Sequence, residues 1–215
     1  MMKKSLTLCF LFVILLFGCA GLEPVHEVSP QFSDMRPSVI AIMPPMNETV
    51  DLDAPKPFIK YLENALRARG YRVVDQEIIN NKLEKEGIHI AEEAGSIPDK
   101  ELGEALGAQA LLFTTVTSWE TTYLGVYASV TVGARFQLID AKTSNELWKV
   151  ADEEKEARIA VDDDSVAETA AFAAFQAYEP YVKKLVYKSF SKLPEGPFYK
   201  KPKPVKARTC FSPKK

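Results

Sequence analysis

Apolar residues recur along this chain with two different periods, and together these periods predict an α/β fold. Residues 39–43 form a short apolar run that two prolines end, which is typical of a strand buried on both faces. Over 58–66 the apolar positions are spaced by three and four, as on one face of a helix, and Gly70 ends this helix. A second short strand at 71–74 completes a β-α-β unit, in which the two strands should be parallel.

The chain beyond this unit predicts further helices and longer strands. We expect helices at 76–86 and 98–106, and strands at 110–116, 128–138 and 147–157. The first of these strands is apolar on both faces, which favours a central position in the sheet. The second alternates apolar and polar residues, so it should bury one face, and a hairpin loop joins it to the third. Antiparallel strands added to a β-α-β unit give an α/β fold with a mixed-direction sheet of about five strands.

A long C-terminal helix is predicted over 166–190, directly after Asp162, Asp163 and Asp164. The acidic residues suit a helix N-terminus because carboxylates accept hydrogen bonds from its free amides. The other role for three aspartates is to bind a hard cation such as calcium, but the ligand spacing of a calcium loop is missing. Pro180 should kink or split the helix, since proline cannot donate the backbone hydrogen bond.

The start of the chain has the layout of an export signal. Two lysines precede an uncharged, mostly apolar run that ends at Phe17 and is shorter than the roughly 20 residues of a membrane span. The run closes on Leu16-Phe17-Gly18-Cys19, which resembles the lipobox of bacterial lipoproteins. This resemblance implies that the preceding peptide is removed and that Cys19 carries acyl chains such as palmitate. An ordinary cleaved signal is the alternative, although the bulky Phe17 does not suit its small-residue cleavage site.

Four segments follow from these patterns. They are a signal peptide at 1–18, a lipidated cysteine with a flexible tether at 19–37, a single α/β domain at 38–191, and a basic, disordered tail at 192–215. The tether contains three prolines and neither a helix nor a strand period. The tail is rich in proline and lysine, so it either stays solvated or docks on an anionic surface, and we favour the solvated state.

Charge and cysteine content narrow the possible functions. Without residues 1–18 the chain keeps 25 basic and 29 acidic residues, a net charge of −4, which argues against nucleic-acid binding. Cys9 leaves with the signal and Cys19 is the proposed lipid site, so Cys210 has no internal cysteine to pair with. It either pairs with another molecule or remains a free thiol in the tail.

No set of residues predicts catalysis. The chain has neither a nucleophile elbow, nor a phosphate-binding loop, nor a paired-cysteine zinc motif. Its histidines are His26, in the tether, and His89, after a predicted helix, where a surface or packing role is favoured over a catalytic one. We therefore expect a protein that is not an enzyme and needs no metal or cofactor.

The aromatic stretch at 119–127 is the candidate partner-binding loop. It joins two predicted strands and contains Trp119, Tyr123 and Tyr127. Aromatic residues exposed on a loop are common anchors of protein interfaces. The same residues could equally fold over the sheet edge as part of the core, and the sequence does not decide between the two interpretations.

Several blocks of the chain resemble a family of bacterial outer-membrane lipoproteins without a settled function, of the genome-derived surface antigen type. The blocks lie at 40–49, 66–74, 106–112, 138–141 and 146–148. The family is similar in fold to the TolB N-terminal, LpoB and CsgG periplasmic domains. The resemblance runs from the lipobox to about residue 190 and does not include the lysine-rich tail.

The resemblance implies a place and a class of function. It implies a protein anchored to the outer membrane by the lipid on Cys19, with its domain facing the periplasm, and Ala20 after the cysteine fits this location. The expected role is to bind an envelope protein, as an accessory or regulator of envelope assembly or secretion. The alternative is a structural subunit that self-assembles into a CsgG-like secretion complex, and an enzyme acting on the cell wall is less favoured.

Overall fold

The computed structural model describes residues 26–88, 91–94, 96–174 and 177–201. The strands are β1 (His26–Val28), β2 (Val39–Ile42), β3 (Met46–Asn47), β4 (Arg72–Val73), β5 (Ala110–Tyr123), β6 (Tyr127–Asp140) and β7 (Glu146–Ile159). The helices are α1 (Phe32–Met35), α2 (Phe58–Ala68), α3 (Gln76–Lys85), α4 (Ala91–Ala94), α5 (Asp99–Leu106), α6 (Asp163–Ala174) and α7 (Glu179–Phe190). The predicted signal peptide, Cys19, His89 and Cys210 lie outside these residues.

All seven strands join one mixed sheet in the order β1-β7-β6-β5-β2-β4, with β3 beside β5. The strand β2 is parallel to β4 and β5, whereas β5, β6 and β7 are antiparallel neighbours. This confirms the predicted mixed-direction sheet and its N-terminal β-α-β unit. The sheet has two strands more than the five expected. These are β1 and β3, which contain three and two residues, too few to show a period in the sequence.

Helices cover both faces of the sheet where β2 and β5 pair. On one face, α2 and α7 pack over Ile40, Ile42 and Leu112. On the other face, α3 and α5 pack over Ala41 and Leu111. Successive strand residues therefore enter opposite cores, which is the burial that the apolar runs at 39–43 and 110–116 predict.

The second half of the three long strands extends beyond this region as an arm, defined here as residues 118–133 and 153–161. The pairing of β3 with β5 ends at Val116, and a bulge follows between Val116 and Ser118. Of the strands that the structure describes, β5, β6 and β7 form the arm. Glu154 and Glu156 contact α7, and the Arg158 guanidinium lies over the Phe172 ring of α6. Because these β7 residues are two apart, both helices lie on the same face of the arm.

The predicted C-terminal helix is divided into two. The helix α6 ends at Ala174 and α7 begins at Glu179, with Pro180 in its first turn. The split confirms the effect expected of the proline, which is tolerated in a first turn because no intrahelical partner is needed there.

The structure corrects both ends of the predicted domain. Within the predicted tether, β1 pairs with β7 and α1 buries Phe32, so residues 26–37 are not a flexible segment. Within the predicted disordered tail, Leu193 is buried in the main core and the N–H of Gly196 donates to the carbonyl of Arg69 at 2.8 Å. Tertiary contacts order both segments, although neither has a periodic pattern of its own.

Candidate functional site

Five apolar side chains are exposed together at the free end of the arm. We call this set the apolar tip; it comprises Tyr123, Leu124, Val126, Ile159 and Val161. Leu124 is 70% exposed and Val161 is 87% exposed. The hairpin turn and the end of β7 are held side by side, because the N–H of Ala160 donates to the carbonyl of Val126 at 2.7 Å. The five side chains therefore lie together at one end of the arm, with Tyr123 on the face that carries α6 and α7 and Ile159 on the opposite face.

The three aromatic residues of the predicted binding loop have different environments. Trp119 lies within β5, where its ring stacks on Tyr178 with centroids 4.2 Å apart, so it is half-buried beneath the start of α7. Tyr123 ends β5 with 46% of its surface exposed, and Tyr127 begins β6 half-buried opposite Ile159. The stretch is therefore a tight hairpin, and its exposed part is the apolar tip.

A row of paired charges ties α7 to β7. The Lys188 ammonium lies 2.8 Å from the Asp152 carboxylate, and Lys184 pairs with Glu154. Further along β7, the Tyr181 hydroxyl donates to the Glu156 carboxylate at 3.1 Å. Hydrogen bonding to Glu154 raises the pKa of Lys184. Carboxylates two residues apart on a strand match basic residues four apart on a helix, because both spacings are about 6–7 Å.

The sequence patterns do not predict this row, although the spacing of its acidic and basic residues is visible in the sequence. The side chains of Asp152 and Glu154 are 4% and 8% exposed, so their pairing with lysine offsets the cost of burying a carboxylate. Lys192 adds a second cation 3.7 Å from Asp152. The arrangement fixes a helix on the sheet and offers no free carboxylate for chemistry.

A polar contact joins α2 to α7. The Tyr61 hydroxyl donates to the Glu179 carboxylate at 2.6 Å, and the Lys60 ammonium lies 3.2 Å from the same oxygen. The Tyr61 hydrogen bond is the main cause that lowers the pKa of Glu179, and its counterpart raises the pKa of Tyr61. Because Tyr61 belongs to the core whereas the side chains of Lys60 and Glu179 are more than half exposed, we interpret the contact as a helix–helix tie at the edge of the core.

Two grooves lie at the end of the domain opposite the apolar tip. The larger, about 690 Å³, is bounded by both ends of the described chain. Its apolar and aromatic lining includes Val28, Phe32, Tyr71, Pro194, Pro197 and Tyr199. The smaller, about 560 Å³, lies between α5 and the loop after β6 and is lined by Met35, Gly103, Gln109 and Asp140.

The described residues contain no group of three or more histidine, cysteine or acidic side chains able to hold a metal ion. Asp162 caps α6, because its carboxylate accepts the N–H of Ser165 at 2.8 Å, and hydrogen bonds from Ser165 lower its pKa. The cap interpretation of the three aspartates is therefore confirmed at Asp162. No helix within the described ranges is long and apolar enough to cross a bilayer.

Comparison with known proteins places this arrangement among lipoproteins. A family model described as "Putative lipoprotein GNA1162-like" matches residues 29–177. A relative from Neisseria meningitidis serogroup B, "Putative lipoprotein NMB1124/NMB1162", is 26% identical over 145 residues, which are 67% of each chain.

Two solved structures share the fold. Lipoprotein GNA1162 from Neisseria meningitidis superposes with a TM-score of 0.54 at 23% identity, covering 63% of this chain and 94% of that one. A subunit of the PelC dodecamer from Paraburkholderia phytofirmans superposes with a TM-score of 0.51 at 16% identity, covering 81% of this chain and 98% of that one.

Proposed function

Because the chain belongs to the GNA1162-like lipoprotein family, we propose that it is a lipid-anchored envelope protein that acts by binding another protein. Acyl chains on Cys19 hold it at the outer membrane, and its α/β domain faces the periplasm. Its partner is a component of an envelope assembly or secretion machine, for which this chain is an accessory or regulator. The proposed activity is binding and not catalysis.

The larger groove opposite the apolar tip is the observation that carries the binding role. Phe32, Tyr71 and Tyr199 contribute aromatic rings and four prolines add apolar surface, while the polar part of the wall includes Arg36 and Glu195. The hydroxyl of Tyr71 donates to the Pro194 carbonyl at 2.7 Å, so the C-terminal segment is held against the residue that follows α2 at the groove wall. Concave apolar surfaces rich in aromatic residues bind extended peptide segments. We therefore expect the partner to present an extended, mostly apolar segment.

A photo-crosslinking amino acid tests the groove in intact cells. At Ser33, an exposed residue of the groove wall, we expect irradiation to yield an adduct with a different envelope protein. The matched control is Ile78, which is exposed on α3 outside the groove and should yield no such adduct. Adducts with copies of this chain alone would contradict the accessory role, and the absence of any adduct would contradict binding at the groove.

Metabolic labelling with palmitate tests the anchor separately. We expect Cys19→Ser to abolish incorporation, because the acylated atom is removed. The matched control is Cys210→Ser, which changes the other cysteine of the mature chain and should leave labelling intact. Labelling that persists in Cys19→Ser would refute lipidation at this residue.

A self-assembling subunit is the second candidate, and the likeness to the PelC subunit favours it. At 16% identity that likeness supports a common fold, and we propose the assembly of this chain separately. Mass measurement of the full mature chain in detergent distinguishes the two candidates. A ring predicts one discrete species of many subunits, whereas an accessory protein predicts a monomer that grows only when its partner is added.

A further inference from the structure

Single exposed apolar residues are normal on a protein surface, but the apolar tip gathers five of them at one end of the arm. Tyr127, next to Val126, pairs directly with Ile159, so the hairpin turn and the end of β7 are adjacent in the sheet. Val126 is 57% exposed and Ile159 is 68% exposed. Exposed apolar residues clustered at the end of an arm mark a surface that a membrane or another molecule covers. The position of the tip relative to the lipid anchor indicates whether a membrane or another molecule covers it.

The direction of β1 shows from which end the chain enters the domain. In the antiparallel pairing with β7, His26 lies opposite Val150 and Val28 lies opposite Trp148. Moving backwards from Val28 to His26 therefore means moving along β7 towards Ile159. The arm extends nine residues beyond Val150 in that direction, which is about 30 Å at the rise of a strand. The chain thus enters from the side of the apolar tip.

The length of chain before His26 limits how far the membrane can be. Cys19 is seven residues before His26, a separation that spans at most roughly 25 Å even when fully extended. This argument rests on the lipidation of Cys19 in the proposed function. Acyl chains at Cys19 then place the bilayer within that distance of His26. On this side of the domain, the arm extends about 30 Å beyond Val150, which is at least as far as the segment from Cys19 to His26 can reach.

We infer that the apolar tip is a second membrane contact, which inserts its side chains into the headgroup region of the bilayer that holds Cys19. Tyrosine suits this depth because its ring is apolar and its hydroxyl is polar, and Tyr123 lies at the edge of the tip. The aspartates at 162–164 follow the tip directly, so an anionic surface would repel them. The expected surface is therefore zwitterionic lipid.

This contact would orient the whole domain. With the tip in the bilayer, the long strands rise obliquely from the membrane, since His26 must stay within roughly 25 Å of it, and the larger groove lies at the end away from the tip. An orientation of this kind presents the groove to the periplasm, where a partner could enter it. A single lipidated cysteine on a short segment cannot fix such an orientation, whereas a second contact about 30 Å from His26 can.

Fluorophores on the acylated full chain test the contact in phosphatidylcholine vesicles. Each variant also carries Cys210→Ser, so that an environment-sensitive dye labels the introduced cysteine of Val126→Cys or Ile78→Cys. These positions are matched, since Val126 is 57% exposed and Ile78 is 56% exposed on α3. We expect the dye at 126 to shift to the blue and to be quenched by nitroxide-labelled lipid. The dye at 78 should show neither change.

The outcomes separate this inference from the anchor. Co-sedimentation with vesicles first shows whether the acylated protein is attached; if it is not, the anchor itself has failed. If the protein is attached but the dyes at 126 and 78 behave alike, the tip does not contact lipid and the inference is overturned. It is also overturned if the dye at 126 is shielded only in isolated envelopes, since a protein then covers the tip. Weaker quenching when phosphatidylglycerol is added would support the proposed role of the aspartates.

Discussion

The two ends of the long hairpins use apolar residues in opposite ways. Near the start of β5, the sheet is covered on both faces, and Phe136 and Trp148 are inaccessible to water. In the arm, the same strands receive α6 and α7 on one face and end in exposed apolar side chains. Burial of apolar surface is the main source of stability. We call the part of the sheet that helices cover on both faces the base. The base therefore supplies most of the stability, and the arm is left available for contact.

The largest effect should come from truncating an aromatic residue at the base. Phe136 packs edge-on against Phe190 at 5.3 Å and also contacts Phe58. We expect Phe136→Ala to lower the free energy of unfolding by about 3–5 kcal/mol through lost burial and a residual cavity. Urea denaturation of the purified chain measures this change. The same substitution at half-exposed Phe198 is the control and should cost about 1 kcal/mol or less, since little area is lost.

The next largest effect should come from Gly70, where the lack of a side chain lets the C-terminal segment pack closely. Gly70 has φ +85°, and a Cβ there would lie 2.1 Å from the backbone nitrogen of Tyr199. We expect Gly70→Ala to cost about 2–4 kcal/mol, because strain and overpacking add. Limited proteolysis should then cut the chain after Leu193 sooner than in the wild type.

Gly87 provides a matched control for this substitution. Its φ is +77°, close to that of Gly70, but among the described residues no atom lies within 4 Å of an added Cβ. Gly87→Ala should therefore show only the backbone strain, about 1 kcal/mol, and leave the C-terminal segment protected. Equal costs at both glycines would mean that the close approach of Tyr199 does not matter.

A smaller effect is expected where the arm meets α7. Trp119 stacks on Tyr178, and the hydroxyls of Thr121 and Tyr178 are 2.7 Å apart. We expect Trp119→Ala to cost about 1–2 kcal/mol, since the ring is only half-buried. A double-mutant cycle with Tyr178→Ala should give a coupling energy of about 1 kcal/mol. Strictly additive effects would show that the stacking does not hold the arm to the helix.

Much of the base was predictable because its elements carry their own periods. The strand β2, the helix α2 and the hairpin of β6 and β7 lie close to the positions that the pattern of apolar residues predicts. Local signals also placed the split before α7, since the restriction comes from Pro180 itself. Short elements escaped prediction; β1 and α1 contain three and four residues, fewer than one repeat of a reliable pattern.

The candidate site was less predictable because it depends on long-range contacts. Nothing local distinguishes Trp119, half-covered by Tyr178 from another part of the chain, from Tyr123, which is exposed. The sequence leaves the two interpretations of 119–127 open, and the structure divides the stretch between them. The charge row of Asp152 and Lys188 was readable as spacing, but its meaning requires knowing that β7 and α7 are neighbours.

A pH-dependent effect is expected at the tie between α2 and α7. The lowered pKa of Glu179 means that its carboxylate stabilises the fold above the unfolded-state pKa, and that this contribution is lost as the pH falls through the lowered value. Glu179→Gln should therefore reduce stability at neutral pH and converge with the wild type in acid. Denaturation midpoints measured at a series of pH values check this sign.

Tyr61→Phe identifies the cause of the lowered pKa. It removes the hydroxyl that donates to Glu179 and keeps the ring, so the pKa of Glu179 should rise towards its ordinary value. Carbon-detected NMR titration of the Glu179 side chain measures it. Lys60→Met removes both the hydrogen bond and the charge of the ammonium, so it should raise this pKa as well. An unchanged pKa of Glu179 in Tyr61→Phe would show that the hydroxyl does not control the titration.

The smallest effect on stability should come from the apolar tip, where the comparison is sharpest. We expect Leu124→Ser combined with Val126→Ser to change the free energy of unfolding by no more than about 0.5 kcal/mol, because both side chains are already in water. Urea denaturation of the double variant checks this. A loss comparable to that of Phe136→Ala would mean that the tip is packed in solution, by the arm itself or by a second molecule. An unchanged midpoint would show that these apolar residues are not required for folding, so their exposure calls for an explanation in what the arm contacts.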